Sequence, residues 1–182
     1  MRILKHSILF ILIALLASSC LTVEKKKYEF KMKDSHSGTL TITYINIMSM
    51  KNDTADVSSK DFQELLSSYI NGTEVEKNFQ SAIVRSKRLY EHNGQLYGEV
   101  VIDFSNLKSV GLYQYDSKCP YMYSIGTGVE SETFLSTSGE FGGDYMPVVF
   151  WPKTEKTFTL TTHITTPDET CTSLLAEYKK WK

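Results

Sequence analysis

Residues 27–44, Lys27-Tyr28-Glu29-Phe30-Lys31-Met32-Lys33-Asp34-Ser35-His36-Ser37-Gly38-Thr39-Leu40-Thr41-Ile42-Thr43-Tyr44, decide the fold class. Tyr28, Phe30 and Met32 alternate with charged residues, the two-residue period of a strand with one wet face. Asp34 to Gly38 is turn chemistry. Leu40, Ile42 and Tyr44 then alternate with Thr39, Thr41 and Thr43, so the pair forms an antiparallel hairpin. The parity flips at Ile45 and Ile47, which implies a bulge or burial on both faces.

Downstream of Lys51–Val57 the period changes. Phe62, Leu65, Leu66, Tyr69 and Ile70 fall on one stripe of an amphipathic helix. Ser58 with Asp61 resembles a capping box, and Asn71-Gly72 ends the helix. Thr73 with Glu76 offers a second cap, and Val75, Phe79, Ala82 and Ile83 predict a second helix beside the first on one sheet face. Asn93-Gly94 then marks a hairpin. Leu89 and Tyr90 precede that turn, and Leu96, Val100, Ile102 and Phe104 follow it on one strand face.

Short strands are expected at Leu112–Tyr115, Tyr121–Ile125, Phe134–Leu135 and Val148–Trp151, with Phe158–Ile164 as the partner of the last. Thr166-Pro167-Asp168-Glu169 predicts the start of a closing helix with the stripe Leu174, Leu175, Tyr178 and Trp181. Strands broken by helices, without strict alternation, argue for a single α+β domain over residues 27–182. Its expected parts are a mainly antiparallel sheet, two helices after the first hairpin and a C-terminal helix.

Upstream, Arg2 and Lys5 form a positive head. Ile8 to Leu16 is apolar and uncharged, and Ala17-Ser18-Ser19-Cys20 closes the segment with small residues. That layout is an export signal spanning residues 1–19. Its core is shorter than the ~20 residues a bilayer-crossing helix needs. Leu16-Ala17-Ser18-Ser19-Cys20 resembles the lipobox of bacterial lipoproteins. It is similar to the looser form found in spirochaetes, with Leu four places before the cysteine and Ser directly before it. The resemblance implies a diacylglycerol thioether on Cys20, cleavage before it by signal peptidase II, and acylation of the new amino group by a fatty acid such as palmitate. Residues 20–26 are then a lipidated tether, and Lys25, Lys26 and Lys27 lie near enough to touch anionic headgroups or simply remain solvated. The chain is expected on a bacterial membrane, outer rather than inner, facing the periplasm or the surface.

The chain carries 20 Lys and Arg against 21 Asp and Glu, a net charge of −1. That balance, without a basic stripe, argues against a nucleic-acid partner. With Cys20 committed to lipid, Cys119 and Cys171 remain. An oxidising compartment favours pairing them, and two buried free thiols are the alternative.

Catalytic constellations fail one at a time. His36, His92 and His163 have no second ligand at metal spacing, so no metal site is expected. No G-x-S-x-G, H-E-x-x-H or phosphate loop occurs, and Gly126-Thr127-Gly128 lacks a third glycine. No cofactor is expected. Two stretches remain as candidate ligand sites. One is the tyrosine group Tyr113, Tyr115, Tyr121 and Tyr123, whose large half-polar surfaces suit contact with a partner or simple cross-strand pairing. The other is the loop Glu140 to Tyr145, in which Asp144 and Tyr145 offer charge and an aromatic ring, or only a solvated glycine turn. The expected role is a lipid-tethered binding module for a protein, glycan or lipid partner rather than an enzyme. An envelope enzyme with a site invisible in sequence, or a structural or lipid-handling role, is the alternative.

Overall fold

In a computed structural model, residues 20–51, 55–126 and 132–182 are described. The first hairpin is β1 (Leu21–Met32) and β2 (Gly38–Met50). Its turn is closed by Asp34, whose carboxylate accepts from the His36 and Ser37 amides, both at 2.8 Å, and from the Ser37 hydroxyl. The flip in parity is a single left-handed residue. Asn46, at φ 57°, is buried and donates to Glu24. The register stays in step across it, with Val23 opposite Ile47 and Lys25 opposite Ile45. The core face thereby passes from Ile42 and Tyr44 to Ile47 without a bulge.

Helix α1 (Ser58–Glu64) runs directly into a π-helical stretch, Leu65–Ile70. Phe62, Leu65 and Leu66 are buried as their stripe requires. The expected capping box does not form. Val57 is the N-cap, the Ser58 amide donates to Asp56, and Asp61 is buried where it accepts from Ser49 Oγ at 2.5 Å. Helix α2 (Glu74–Asn78) lasts only five residues. The predicted second helix therefore stops early. Phe79 and Ala82 pack on the core from an irregular turn, and the β-branched pair Ile83-Val84 opens a strand instead.

That strand is β3 (Ile83–His92), paired with β4 (Gln95–Phe104) through a turn in which Asn93 and Gly94 both take positive φ. A 3₁₀ turn, Leu107–Val110, leads to β5 (Leu112–Tyr113) and β6 (Tyr121–Ser124). Next come β7 (Thr133–Thr137), β8 (Glu140–Phe141), β9 (Val148–Trp151) and β10 (Thr157–His163). The chain closes with β11 (Cys171–Ser173) and α3 (Leu175–Trp181). The closing helix starts later than its sequence cap implies, because Asp168 accepts from the Thr170 amide and hydroxyl and turns the chain into a strand first.

The protein is thus one α+β body with two antiparallel sheets. The seven-stranded sheet runs β3-β4-β2-β1-β10-β7, with β11 added to the end of β2, and the four-stranded sheet runs β5-β6-β9-β8. One cluster joins Phe30, Ile102 and Leu160 of the large sheet to Tyr121, Val149 and Trp151 of the small one. A second joins Val23, Ile47 and Leu96 to Phe62 of α1 and Leu66 of the π-helical stretch, and to Leu174 and Tyr178 at the C-terminus. The chain passes between sheets at Gly139, where a Cβ would collide with the Phe150 carbonyl and the Trp151 ring.

Three further expectations are corrected. Val148–Trp151 and Phe158–Ile164 are not partners: β9 pairs with β6 and β8 in the small sheet, and β10 with β1 and β7 in the large one. Residues 21–26 are not a tether: they are the first half of β1, paired with β2 on one side and with β10 on the other from Lys25 onward. Their lysines hid the strand because Lys26 turns inward to a carboxylate partner. Cys119 and Cys171 form no bridge. Cys119 lies in the β5–β6 connection of the small sheet, whereas Cys171 opens β11 against Met50.

Candidate functional site

The four candidate tyrosines divide by strand parity. Leu112 is 1% exposed and points into the core, so its neighbour Tyr113 points out at 46%, and Tyr115 beyond the strand is 76% exposed. Tyr121 and Tyr123 sit opposite Trp151 and Val149, both fully buried, and so face inward. Tyr121 stacks on Phe158 at 5.5 Å and donates to the Ser35 carbonyl, pinning the β1–β2 turn to the small sheet. Burial raises its pKa, with the Asp34 charge adding to it.

Tyr123 belongs to an interior polar cluster that the sequence does not announce. The Glu132 carboxylate accepts from Lys26 Nζ (3.1 Å), Tyr28 (2.9 Å) and Thr162 Oγ1 (2.8 Å). The Tyr28 and Tyr123 rings lie 5.5 Å apart. Burial, with Glu132 nearby, pushes the Tyr123 hydroxyl up to about 12, and burial drives that of Tyr28 higher still. Among the described residues, no buried side-chain polar atom lacks a hydrogen-bond partner. The cluster therefore serves as an internal clamp, because its groups are already engaged with one another.

Tyr113 and Tyr115 instead line an open cleft of about 450 Å³, with His36 from the β1–β2 turn, Asn106 and Lys108 from the 3₁₀ turn, and Gln114 and Asp116 beside them. Local chemistry fixes each wall. Asn106 Oδ1 accepts from the Lys108 amide at 2.9 Å and starts the 3₁₀ turn. Gly111, at φ 74°, then sends the chain into β5 against the edge of the Tyr123 ring. Asp116 accepts from the Lys118 and Cys119 amides at 2.7 and 3.0 Å, and these bonds hold its carboxyl below the ordinary range. Gln114 donates to the Cys119 carbonyl at 2.8 Å. Tyr115 is left projecting at the tip of a braced loop.

With Asp116 and Gln114 committed to turns, the cleft presents two tyrosine faces, an imidazole and an ammonium group. That arrangement suits recognition by stacking and hydrogen bonding. Asp144 and Tyr145 do not line this cleft. Both are exposed on the turn between β8 and β9, Tyr145 fully so. A second cleft, about 460 Å³, lies beside Gly139, Glu140, Phe150 and Trp151 and uses neither. Among the described residues no three His, Cys, Asp or Glu side chains gather at metal spacing. Gly128, in the glycine turn, lies outside the described residues.

The chain matches no protein-family model, no curated protein and no solved structure.

Proposed function

We propose that the chain is an exported bacterial envelope protein, anchored by lipid on Cys20, that acts as a binding module through the Tyr113–Tyr115 cleft. The observation carrying this reading is the position of Cys20. An apolar segment and three small residues end at it, and the folded body begins one residue later at Leu21. Two or more acyl chains hold a protein stably on a bilayer, whereas one is marginal. No helix among the described residues is long and apolar enough to cross a membrane. Binding rather than catalysis is favoured because the exposed aromatics of the cleft stand beside carboxyl and amide groups already used in turns. The partner is a protein, glycan or lipid whose surface accepts tyrosine faces.

Growth with a labelled fatty acid tests the anchor. Label is expected in the wild type and absent in Cys20→Ala. Label in both forms, or in neither, contradicts it.

A further inference from the structure

The strand assignment leaves no slack between Cys20 and the body. A free tether of residues 20–26 would reach roughly 25 Å. Instead β1 starts at Leu21, and the Cys20 carbonyl accepts from the Met50 amide at 2.8 Å, so Cys20 is itself part of the sheet's end. Two large apolar side chains are exposed at this end, Met50 at 40% and Trp181 at 54%. Met50 is opposite Cys171, and Trp181 packs edge-on against Phe62, 6.3 Å away, on the helix whose Asp61 is bonded to Ser49 of β2. Lys51 and Lys180 both lie near Asp56, which places the end of β2 and the end of α3 side by side.

We propose that this end of the body, with Met50 and Trp181 at its surface and Lys51 and Lys180 at its rim, rests on the headgroup layer of the bilayer that holds the Cys20 lipid. The inference depends on the lipid-anchor reading. Tryptophan is favoured at the boundary between headgroups and acyl chains, and lysines there keep their ammonium groups in water while their stems lie against lipid. Charge plays a small part. Lys180 pairs with Glu177 at 2.6 Å, Lys51 donates to the Glu169 carbonyl at 2.7 Å, and the Asp56 carboxylate lies near both lysines. The contact is therefore expected on a zwitterionic surface. Its consequence is orientation. β1 runs 12 residues from Cys20 towards the turn that carries His36, about 40 Å at strand rise. The tyrosine cleft, which includes His36, then points away from the membrane.

The chain's two tryptophans make the test direct. Trp151 is fully buried and serves as the internal reference, whereas Trp181 is exposed. The full lipidated protein is reconstituted into phosphatidylcholine vesicles with plain or brominated acyl chains, and tryptophan emission is compared. Brominated lipid should remove most of the Trp181 emission, and Trp181→Phe should leave an emission that the two lipids do not distinguish. A vesicle-bound protein, shown by mass to carry lipid on Cys20, with equal emission in both lipids would overturn the inference and leave the anchor standing. An unmodified Cys20 would overturn the anchor itself, and the inference with it. Seven Gly and Ser residues inserted between Cys20 and Leu21 should abolish the quenching while the protein stays on the vesicle. Undiminished quenching would show that the short connection is not what seats the body.

Discussion

Asp34 shows how one side chain sets an edge of the cleft. Bonds from the Ser37 hydroxyl and the His36 and Ser37 amides hold its carboxyl at about 2, below the ordinary 3.8. Because the folded pKa lies below the unfolded one, the stabilisation is complete above about pH 4 and is lost as pH falls through about 2. The carboxyl carbon of Asp34 should therefore titrate near pH 2 by NMR, with the His36 and Ser37 amide shifts moving at the same midpoint. A midpoint at 3.8 would contradict the turn geometry. The turn residues were legible in the sequence, since Asp and Ser before Gly is recognisable chemistry. The Glu132 clamp was not. Its members Lys26, Tyr28, Thr162 and Glu132 come from separated segments, and only the folded sheet brings them together.

Among the elements, strands were read better than helices. Alternation in β1, β2 and β4 is fixed by one buried face, so their periods survive in the sequence. The predicted second helix failed because Val75, Phe79, Ala82 and Ile83 fit a helical stripe by spacing alone, while the chain leaves the helix after Asn78. The predicted last helix failed at its start, where β11 intervenes. The tyrosines of β5 and β6 carry the contrast most open to measurement. Tyr121→Ala removes a buried ring stacked on Phe158 and should cost about 3–5 kcal/mol, the range for truncating a buried aromatic. Tyr115→Ala touches no core and should stay within about 0.5 kcal/mol of wild type. Chemical denaturation of both variants checks the pair. Equal losses would mean that Tyr115 is a packing residue, and the cleft would lose its main exposed surface.

At the scale of the whole molecule, β1 links the two functional claims. It begins one residue after the cysteine proposed to carry lipid and ends at the turn that helps to wall the cleft. The fold class followed from local periodicity, but the division into two sheets did not, because it depends on Gly139 letting the chain cross from β7 to β8 against Trp151. The separation of Cys119 and Cys171 was likewise invisible, since spacing along the chain says nothing about which sheet each joins. The account depends most on the chemistry of one sulfur atom, and the mass of the mature N-terminal peptide measures it directly. Protein purified from bacterial membranes should begin at Cys20 and carry a diacylglyceryl group there. A peptide beginning at Met1, or an unmodified thiol at Cys20, would contradict the account.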